Sequence, residues 1–149
     1  MKILIINGPN INMLGIREPD LYGKTDYAAL CRKLRDWCRT ADAECALFQS
    51  NHEGAIVDRI QQAYYEGVDG IVMNPAAYTH TSVAILDALK AVAIPCVEVH
   101  ITDVSKRESF RQVSYVSKAA VHRVIGHGID GYREAIDWLV RYIRERAAS

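Results

Sequence analysis

Two residues in the apolar segment 95–100, Glu98 and His100, are of types and spacing that could move a proton. Because successive side chains of a strand point to opposite faces, this spacing puts both on the same side. A carboxylate beside an imidazole fixes one tautomer and raises its basicity. The pair is therefore suited to general acid catalysis. The alternative is a buried polar pair that serves packing. We favour catalysis because charged residues seldom end an apolar strand without a function.

A second candidate pair, Arg17 and Tyr22, lies on a long segment rich in glycine and proline, residues 7–23. Segments of this length without secondary structure are typically lids, binding loops or disordered. A free tyrosine has a pKa near ~10, so it needs help to act as a base at neutral pH. A nearby guanidinium favours the ionised form. Arg17 could thus activate Tyr22. The alternative is a surface arginine and a packed tyrosine.

Residues 74–82 combine an amide, several hydroxyls and an imidazole before a predicted helix. Asn74 and His80 in this segment could bind hydroxyl and carboxylate groups of a small polar substrate, and the helix N-terminus would favour an anion. We expect Thr79 or Thr81 to cap the helix. The alternative for His80 is a packing or capping role.

Two arginines, Arg107 and Arg111, follow the Glu98–His100 segment. An arginine can donate two parallel hydrogen bonds to a substrate carboxylate. The alternative is a solvated helical turn.

These candidates follow apolar runs that alternate with helical patterns along the chain. The runs predict strands at 2–6, 44–48, 70–73, 95–100 and 119–125. Periodicity near 3.6 predicts helices at 26–40, 54–67, 81–92 and 128–146. We expect one catalytic domain, residues 1–149, with a flavodoxin-like, doubly wound, five-stranded parallel sheet in three α/β/α layers. Ligands of such sheets bind beyond the carboxyl ends of the strands.

Composition narrows the classes of function. The 149 residues are 50% hydrophobic and 24% charged, which argues against disorder. The formal net charge is 0, so a nucleic-acid partner is not expected. No apolar run approaches the ~20 residues of a membrane helix, and we expect neither a membrane partner nor a signal peptide.

Four cysteines and five histidines show no metal-site spacing. Cys31, Cys38, Cys45 and Cys96 contain no C-x-x-C pair, so we expect buried free thiols, a reducing compartment and a cytoplasmic protein. We expect no bound metal.

The glycine run at 126–131 fits the pattern G-x-G-x-x-G. The dinucleotide fingerprint also needs a following strand and an acidic residue about 20 positions on, inside a βαβ unit. The residues after Gly131 are helical in pattern instead. We interpret the run as close strand–helix packing.

Together these segments resemble the type II 3-dehydroquinate dehydratase family. The matching motifs, in the family's order, are Asn-Gly-Pro-Asn at 7–10, Gly-x-Arg-Glu-Pro at 15–19 with Tyr-Gly at 22–23, Gln-Ser-Asn-His-Glu-Gly at 49–54, Asn-Pro at 74–75 with Thr-His-Thr-Ser-Val-Ala at 79–84, Glu-Val-His at 98–100, Arg-Glu-x-Phe-Arg at 107–111 and Gly-x-Gly-x-x-Gly-Tyr at 126–132.

The resemblance implies a hydro-lyase that removes water from 3-dehydroquinate by anti-elimination, through an enolate, to give 3-dehydroshikimate. It places the reaction in the shikimate pathway of aromatic amino acid biosynthesis or in quinate catabolism. It also implies a flavodoxin-like fold, no metal or other cofactor, and a homododecamer built as a tetramer of trimers.

Residue roles follow from the resemblance by position. Tyr22 is similar to the base that takes the proton next to the ketone, and Arg17 to the lid cation that keeps it ionised and stabilises the enolate. Asn10 resembles the residue that holds a water against the enolate oxygen. His100, oriented by Glu98, resembles the acid that protonates the departing hydroxyl.

The remaining implied positions contact the substrate. They are Asn74, His80 and Arg111, the backbone of Ile101 and Thr102 as a carboxylate cradle, Arg107 as a lid-side contact, and Asp87, which reaches a neighbouring subunit's site.

Three departures from the family pattern carry expectations of their own. Thr102-Asp103 replaces the usual Ser-Asn, and we expect Asp103 to point away from the substrate carboxylate. Ala76 stands where glycine is common, which predicts a backbone compatible with a β-carbon. The residues at 122–123, His-Arg, replace a smaller and less polar stretch and could alter a subunit contact.

Two other functions stay open on the sequence. One is a non-catalytic flavodoxin-like module that binds a nucleotide or a partner domain. The other is a related enzyme acting on a different cyclic hydroxy-ketoacid. Biosynthetic and catabolic uses share one reaction, so the sequence does not separate them.

Overall fold

The computed structural model describes residues 1–16, 20 and 24–149. Its strands are β1 (Lys2–Asn7), β2 (Glu44–Gln49), β3 (Gly70–Asn74), β4 (Cys96–His100) and β5 (His122–Ile125). Its helices are α1 (Tyr27–Thr40), α2 (Glu53–Tyr65), α3 (Val83–Val92) and α4 (Asp130–Ala148). Short 3-10 helices occupy the connections at Ile11–Met13, Ala76–His80, Val104–Lys106, Ser109–Arg111 and Val116–Lys118.

The five strands form one parallel sheet in the order β2-β1-β3-β4-β5. This is the strand order of flavodoxin-like folds, so the predicted fold class is confirmed. The chain reverses its direction of progress across the sheet between β1 and β3. A crevice opens at the carboxyl ends of neighbouring strands at such a switch point. There Asn7 of β1 pairs with Asn74 of β3.

Alternating side chains divide the core into two clusters, one on each face of the sheet. Ile3 and Ile5 of β1 pack in the cluster that includes residues of α1 and α4. Leu4 and Ile6 of the same strand pack in the cluster that includes residues of α2 and α3. Each such side chain contributes roughly 1.5–3 kcal/mol by full burial. The result is the three-layer arrangement expected from the sequence.

The observed helix caps correct one expectation. Asp26 caps α1, and its side chain accepts a hydrogen bond from the backbone of the first turn. Helix α3 is capped by Ser82, whereas Thr79 or Thr81 was expected. Thr79 lies within the 3-10 helix Ala76–His80, before the cap position, and its hydroxyl donates a 2.8 Å hydrogen bond to Glu98.

The predicted fifth strand is too long at its N-terminal end. Residues 119–121 were expected to belong to it, but β5 begins at His122. The backbone N–H groups of Ala119 and Ala120 donate to the carbonyl of Val116. They close the turn after a 3-10 helix and are therefore unavailable for pairing with β4.

The four cysteines are free thiols, as expected, but only two of them are buried. Cys38 and Cys96 lie in the core, while Cys31 and Cys45 are half-buried. Within the described ranges, no helix combines the length and apolar character that crossing a bilayer requires.

Glycines let two backbone segments approach closely at the crevice. The N–H of Gly8 donates a 2.8 Å hydrogen bond to the carbonyl of Asn74. A β-carbon on Gly8 would lie 2.4 Å from the carbonyl oxygen of Pro75, which no side chain tolerates. Glycine at position 8 thus brings the loop after β1 against the loop after β3.

Candidate active site

A cavity opens at the carboxyl ends of β1, β3 and β4, where the fold predicts a ligand site. Most of the residues proposed from the sequence line it. They are Asn10, Asn74, His80, His100, Ile101, Thr102, Arg107 and Arg111.

The other proposed site residues lie elsewhere. Glu98 is buried directly behind His100. Asp87 is exposed on α3 and is not among the described residues that line the cavity. Arg17 and Tyr22 lie outside the described residues.

The central feature of the site is the pair formed by Glu98 and His100. Both lie on β4, where Glu98 has no exposed surface and His100 is 5% exposed. The imidazole Nε2 hydrogen-bonds Glu98 Oε2 at 2.5 Å. The shared face predicted from the spacing is confirmed. Because Nε2 is engaged by the carboxylate, Nδ1 is the ring nitrogen that remains for a ligand in the cavity.

Three further side chains donate to the buried carboxylate. Thr79 Oγ1 donates to Oε2 at 2.8 Å, and Arg123 Nε donates to Oε1 at 2.9 Å. Ser114 Oγ lies within 2.9 Å of Oε2 and 3.1 Å of Oε1. None of these three contacts with Glu98 is predicted from the sequence, because the side chains approach from segments distant in the chain.

These partners determine the charge of Glu98. Burial by itself would raise the pKa of this carboxyl group. The hydrogen bond and charge of His100, the hydroxyl of Thr79 and the charge of Arg123 outweigh burial and lower the pKa to about 2. Glu98 is therefore a carboxylate at neutral pH. The carboxylate engages Nε2 and orients the ring, so Nδ1 is the atom that could exchange a proton with a ligand in the cavity.

A second imidazole, that of His80, lines the same cavity and hydrogen-bonds a backbone carbonyl instead of a carboxylate. Its Nδ1 lies 2.7 Å from the carbonyl oxygen of Val113, so Nδ1 carries the proton and Nε2 is left for a ligand. Burial lowers the pKa of His80, and the neighbouring charges of His100 and Arg111 lower it further. A neutral His80 would accept a hydrogen bond from a substrate hydroxyl.

The amide of Asn74 is fixed by a buried hydrogen-bond chain. Asn74 Nδ2 donates to the Tyr132 hydroxyl at 2.9 Å, and that hydroxyl donates to Asn7 Oδ1 at 2.6 Å. Asn74 Oδ1 accepts from the N–H of Ala76 at 3.1 Å. Burial raises the pKa of Tyr132, so its phenol stays neutral and can donate. Tyr132 ends the glycine-rich motif at 126–132, but the motif does not predict this role.

Ala76 corrects an expectation about the backbone. Its φ is +51°, in the left-handed region, although the alanine predicted an ordinary backbone for a residue with a β-carbon. This conformation costs a non-glycine residue roughly 1–2 kcal/mol. The Ala76 N–H donates to Asn74 Oδ1, and this hydrogen bond favours the left-handed conformation of Ala76. The same hydrogen bond fixes the orientation of the Asn74 amide.

The segment after β2 supports the loop that carries Asn10. Asn10 has a φ of +70°, and its N–H donates to Asn51 Oδ1 at 3.0 Å. Gln49 Nε2 donates to the carbonyl of Gly8 and to Asn51 Oδ1, each at 3.2 Å. The polar residues 49–51, which the sequence marked without a role, thus hold Asn10 at the rim of the cavity.

Two arginines give the cavity positive charge, and the acidic residue nearby is turned aside. Arg107 and Arg111 line it, and Arg111 Nε is held by Glu108 Oε2 at 2.6 Å. Asp103 accepts from the backbone and hydroxyl of Ser105 and is not among the described lining residues. Asp103 therefore points away, as expected from the sequence.

The arrangement fits a small, anionic, hydroxylated ligand. Arginines can bind a carboxylate, amides and a neutral imidazole can bind hydroxyls, and an imidazolium can donate a proton. Among the residues that the structure describes, no three His, Cys, Asp or Glu side chains are grouped to hold a metal ion.

The ionised Glu98 predicts a specific dependence of stability on pH. Its folded pKa of about 2 lies below the usual 4.5. The stabilisation is therefore complete above about pH 4.5 and is lost as the pH falls toward 2. It amounts to about 3 kcal/mol. In Glu98→Gln we expect a lower free energy of unfolding at pH 7 and a shallower loss between pH 5 and 2, measured by urea denaturation.

A matched control is Glu145→Gln, which removes an exposed carboxylate from α4. It should leave both quantities close to those of the parent protein. Parallel curves for the parent and Glu98→Gln would contradict an ionised Glu98.

Comparison with known proteins shows where this chain belongs. A family model described as dehydroquinase class II matches residues 1–140. A catabolic 3-dehydroquinase of Sclerotinia sclerotiorum is 50% identical over 147 residues, covering 97% of this chain and 96% of that protein. A 3-dehydroquinate dehydratase of Lachnoclostridium phytofermentans is 51% identical over 140 residues, covering 94% and 97%.

A solved structure agrees with these relatives. The crystal structure of the type II dehydroquinase from Butyrivibrio crossotus superposes with a TM-score of 0.92 at 51% identity, covering 93% of this chain and 97% of that one. The family match, the identity over nearly whole chains and the common architecture lead to one conclusion. The chain belongs to the class II dehydroquinase family.

Proposed function

We propose that this chain dehydrates 3-dehydroquinate to 3-dehydroshikimate as a type II hydro-lyase, in the shikimate pathway or in quinate catabolism. The observation that carries the proposal is the Glu98–His100 pair, which opens onto a cavity that two arginines also line. Family membership supplies the substrate class.

The reaction needs a base for a proton beside a ketone and an acid for a departing hydroxyl. In our proposal the phenolate of Tyr22 takes the proton, and the electron pair of the broken C–H bond moves onto the carbonyl oxygen to form an enolate. Arg17 keeps Tyr22 ionised and stabilises that oxygen, and Asn10 holds a water against it. These roles rest on the family resemblance.

His100 completes the reaction at the other end of the substrate. As the enolate returns its electron pair, the C–O bond breaks and His100 Nδ1 gives its proton to the departing hydroxyl, which leaves as water. The 2.5 Å contact between Glu98 and His100 Nε2 supports this role because the carboxylate stabilises the imidazolium. General acid catalysis of this kind typically contributes ~10²–10⁴-fold in rate.

Substrate binding would use the remaining cavity residues. We assign the substrate carboxylate to the backbone of Ile101 and Thr102, and hydroxyl or carboxylate contacts to Asn74, His80 and Arg111. Arg107 would contact the substrate from the lid side. The support is that all of them line the same cavity.

The alternative of a non-catalytic nucleotide-binding module lacks support. Its main argument was the glycine run at 126–131. In the structure a β-carbon on Gly131 would lie 3.3 Å from Val124 Cγ1 and 3.8 Å from Val99 Cγ1, so this glycine packs α4 against the sheet.

We further propose a cytoplasmic homododecamer, a tetramer of trimers, without a nucleic-acid or membrane partner or a cofactor. Asp87 would then reach the site of a neighbouring subunit, which fits its exposed position on α3 outside the cavity. Native mass spectrometry should give the mass of twelve chains, and a monomer as the main species would oppose the proposal.

The proposed activity is tested most directly by its product. Incubation with 3-dehydroquinate should raise the ultraviolet absorption of a conjugated enone, because dehydration places a double bond beside the ketone. The signal should persist with a chelator present. Absence of product would refute the activity, and loss of product with chelator would refute the cofactor-free mechanism.

Removal of either proton-transfer group should reduce kcat by roughly 10²–10⁴-fold. Tyr22→Phe should keep substrate binding, measured by calorimetry, because it loses only a hydroxyl. His100→Ala should slow departure of the hydroxyl. Tyr64→Phe and His127→Ala are controls, since both side chains are exposed and neither is among the described residues of the cavity wall. Near-normal turnover in Tyr22→Phe or His100→Ala would remove that residue from its role.

A further inference from the structure

Arg123 reaches the buried carboxylate from the adjacent strand β5. The register of β4 and β5 pairs Glu98 with Arg123, which puts the two side chains on the same face of the sheet. Arg123 Nε donates to Oε1 at 2.9 Å. Glu98 is fully buried, whereas the Arg123 side chain is 36% exposed. The guanidinium thus connects the protein surface to the interior of the site.

The two carboxylate oxygens of Glu98 accept hydrogen bonds from different basic side chains. Oε1 accepts from Arg123, and Oε2 accepts from His100. Arg123 is not among the described residues that line the active-site cavity. It borders one surface groove with His122 and Trp138 and a second groove with Asp103 and Arg111. Its hydrogen bond and ion pair with Glu98 connect it to the catalytic pair.

We propose that Arg123 is a positioning residue that sets the pH at which His100 can donate its proton, by sharing the charge of Glu98. This inference rests on the acid role proposed for His100. With Arg123 present, two cations share one carboxylate when His100 is protonated. Without Arg123, no guanidinium at position 123 would compete with the imidazolium for the negative charge of Glu98. Arg123 therefore makes His100 a stronger acid, which improves proton donation near neutral pH.

Other charged and titratable groups face the pair from the surrounding elements. His80, Arg107 and Arg111 line the cavity with His100, and Cys96 lies on the same strand as Glu98. Because these groups are unchanged when position 123 is varied, a difference between the parent and a variant isolates the effect of Arg123.

The test is the titration of His100 followed by ¹⁵N NMR of its ring nitrogens. Signals are assigned by their absence in His100→Ala. In Arg123→Met we expect the apparent midpoint to rise by about one pH unit. Arg123→Lys, which keeps the charge, should restore most of the parent value. Arg141→Met is the matched control, because Arg141 borders the groove of His122 and Trp138 as Arg123 does, but in the described part of the chain it is not a hydrogen-bond or ion-pair partner of Glu98.

Arg123→Gln provides a second test if Arg123→Met does not fold. It keeps a hydrogen-bond donor but removes the charge, so it should raise the midpoint as well. In active protein, the alkaline limb of the plot of kcat against pH should move to higher pH by the same amount, and KM should change little. A purely structural role would lower the melting temperature without moving the midpoint.

The outcomes separate this inference from the proposed function. An inactive parent protein would refute the dehydratase proposal, whatever the titration shows. If the parent is active and the His100 midpoint in Arg123→Met and Arg123→Gln equals that of the parent, the role of Arg123 alone is overturned.

Discussion

The carboxylate of Glu98 has no exposed surface and lies against His100, and the site depends on this carboxylate being ionised. Moving an ion from water into a protein interior costs several kcal/mol, so a buried charge persists only with close partners. Glu98 has them in His100, Thr79, Ser114 and Arg123. The carboxylate in turn orients the imidazole that faces the cavity.

The parallel sheet is what makes these partners meet. Glu98 and His100 lie on β4, and Arg123 lies at the paired position of the adjacent strand β5. Thr79 lies in the connection after β3 and contacts Glu98 from there. On the other side of β3, the chain of hydrogen bonds through Tyr132 ties the ends of β1 and β3 together. The fold therefore fixes both the acid and the amide that would hold substrate near it.

The sequence predicted the parts of this structure that depend on local periodicity. Alternation along β4 placed Glu98 and His100 on one face, and the alternating strands and helices indicated the flavodoxin-like sheet. Asn74 and His100 were found because they lie at the carboxyl ends of strands that share one edge, whereas Asn10, Ile101 and Thr102 were assigned through the family resemblance.

What the sequence could not supply depends on relations between distant elements. The contact of Arg123 with Glu98 requires the β4–β5 register, and the contact of Thr79 with Glu98 requires the connection after β3 to lie against β4. The left-handed backbone at Ala76 accompanies a hydrogen bond from its N–H to Asn74 Oδ1, and the Asn74 amide is held in turn by Tyr132, 58 residues further along the chain.

The most direct measurement is infrared difference spectroscopy of the parent protein against Glu98→Gln at pH 4 and pH 7. With a pKa of about 2, Glu98 should contribute the bands of an ionised carboxylate at both pH values and no protonated carbonyl stretch. A protonated carboxyl band from Glu98 at pH 7 would contradict the account, because a neutral acid would not stabilise the imidazolium of His100.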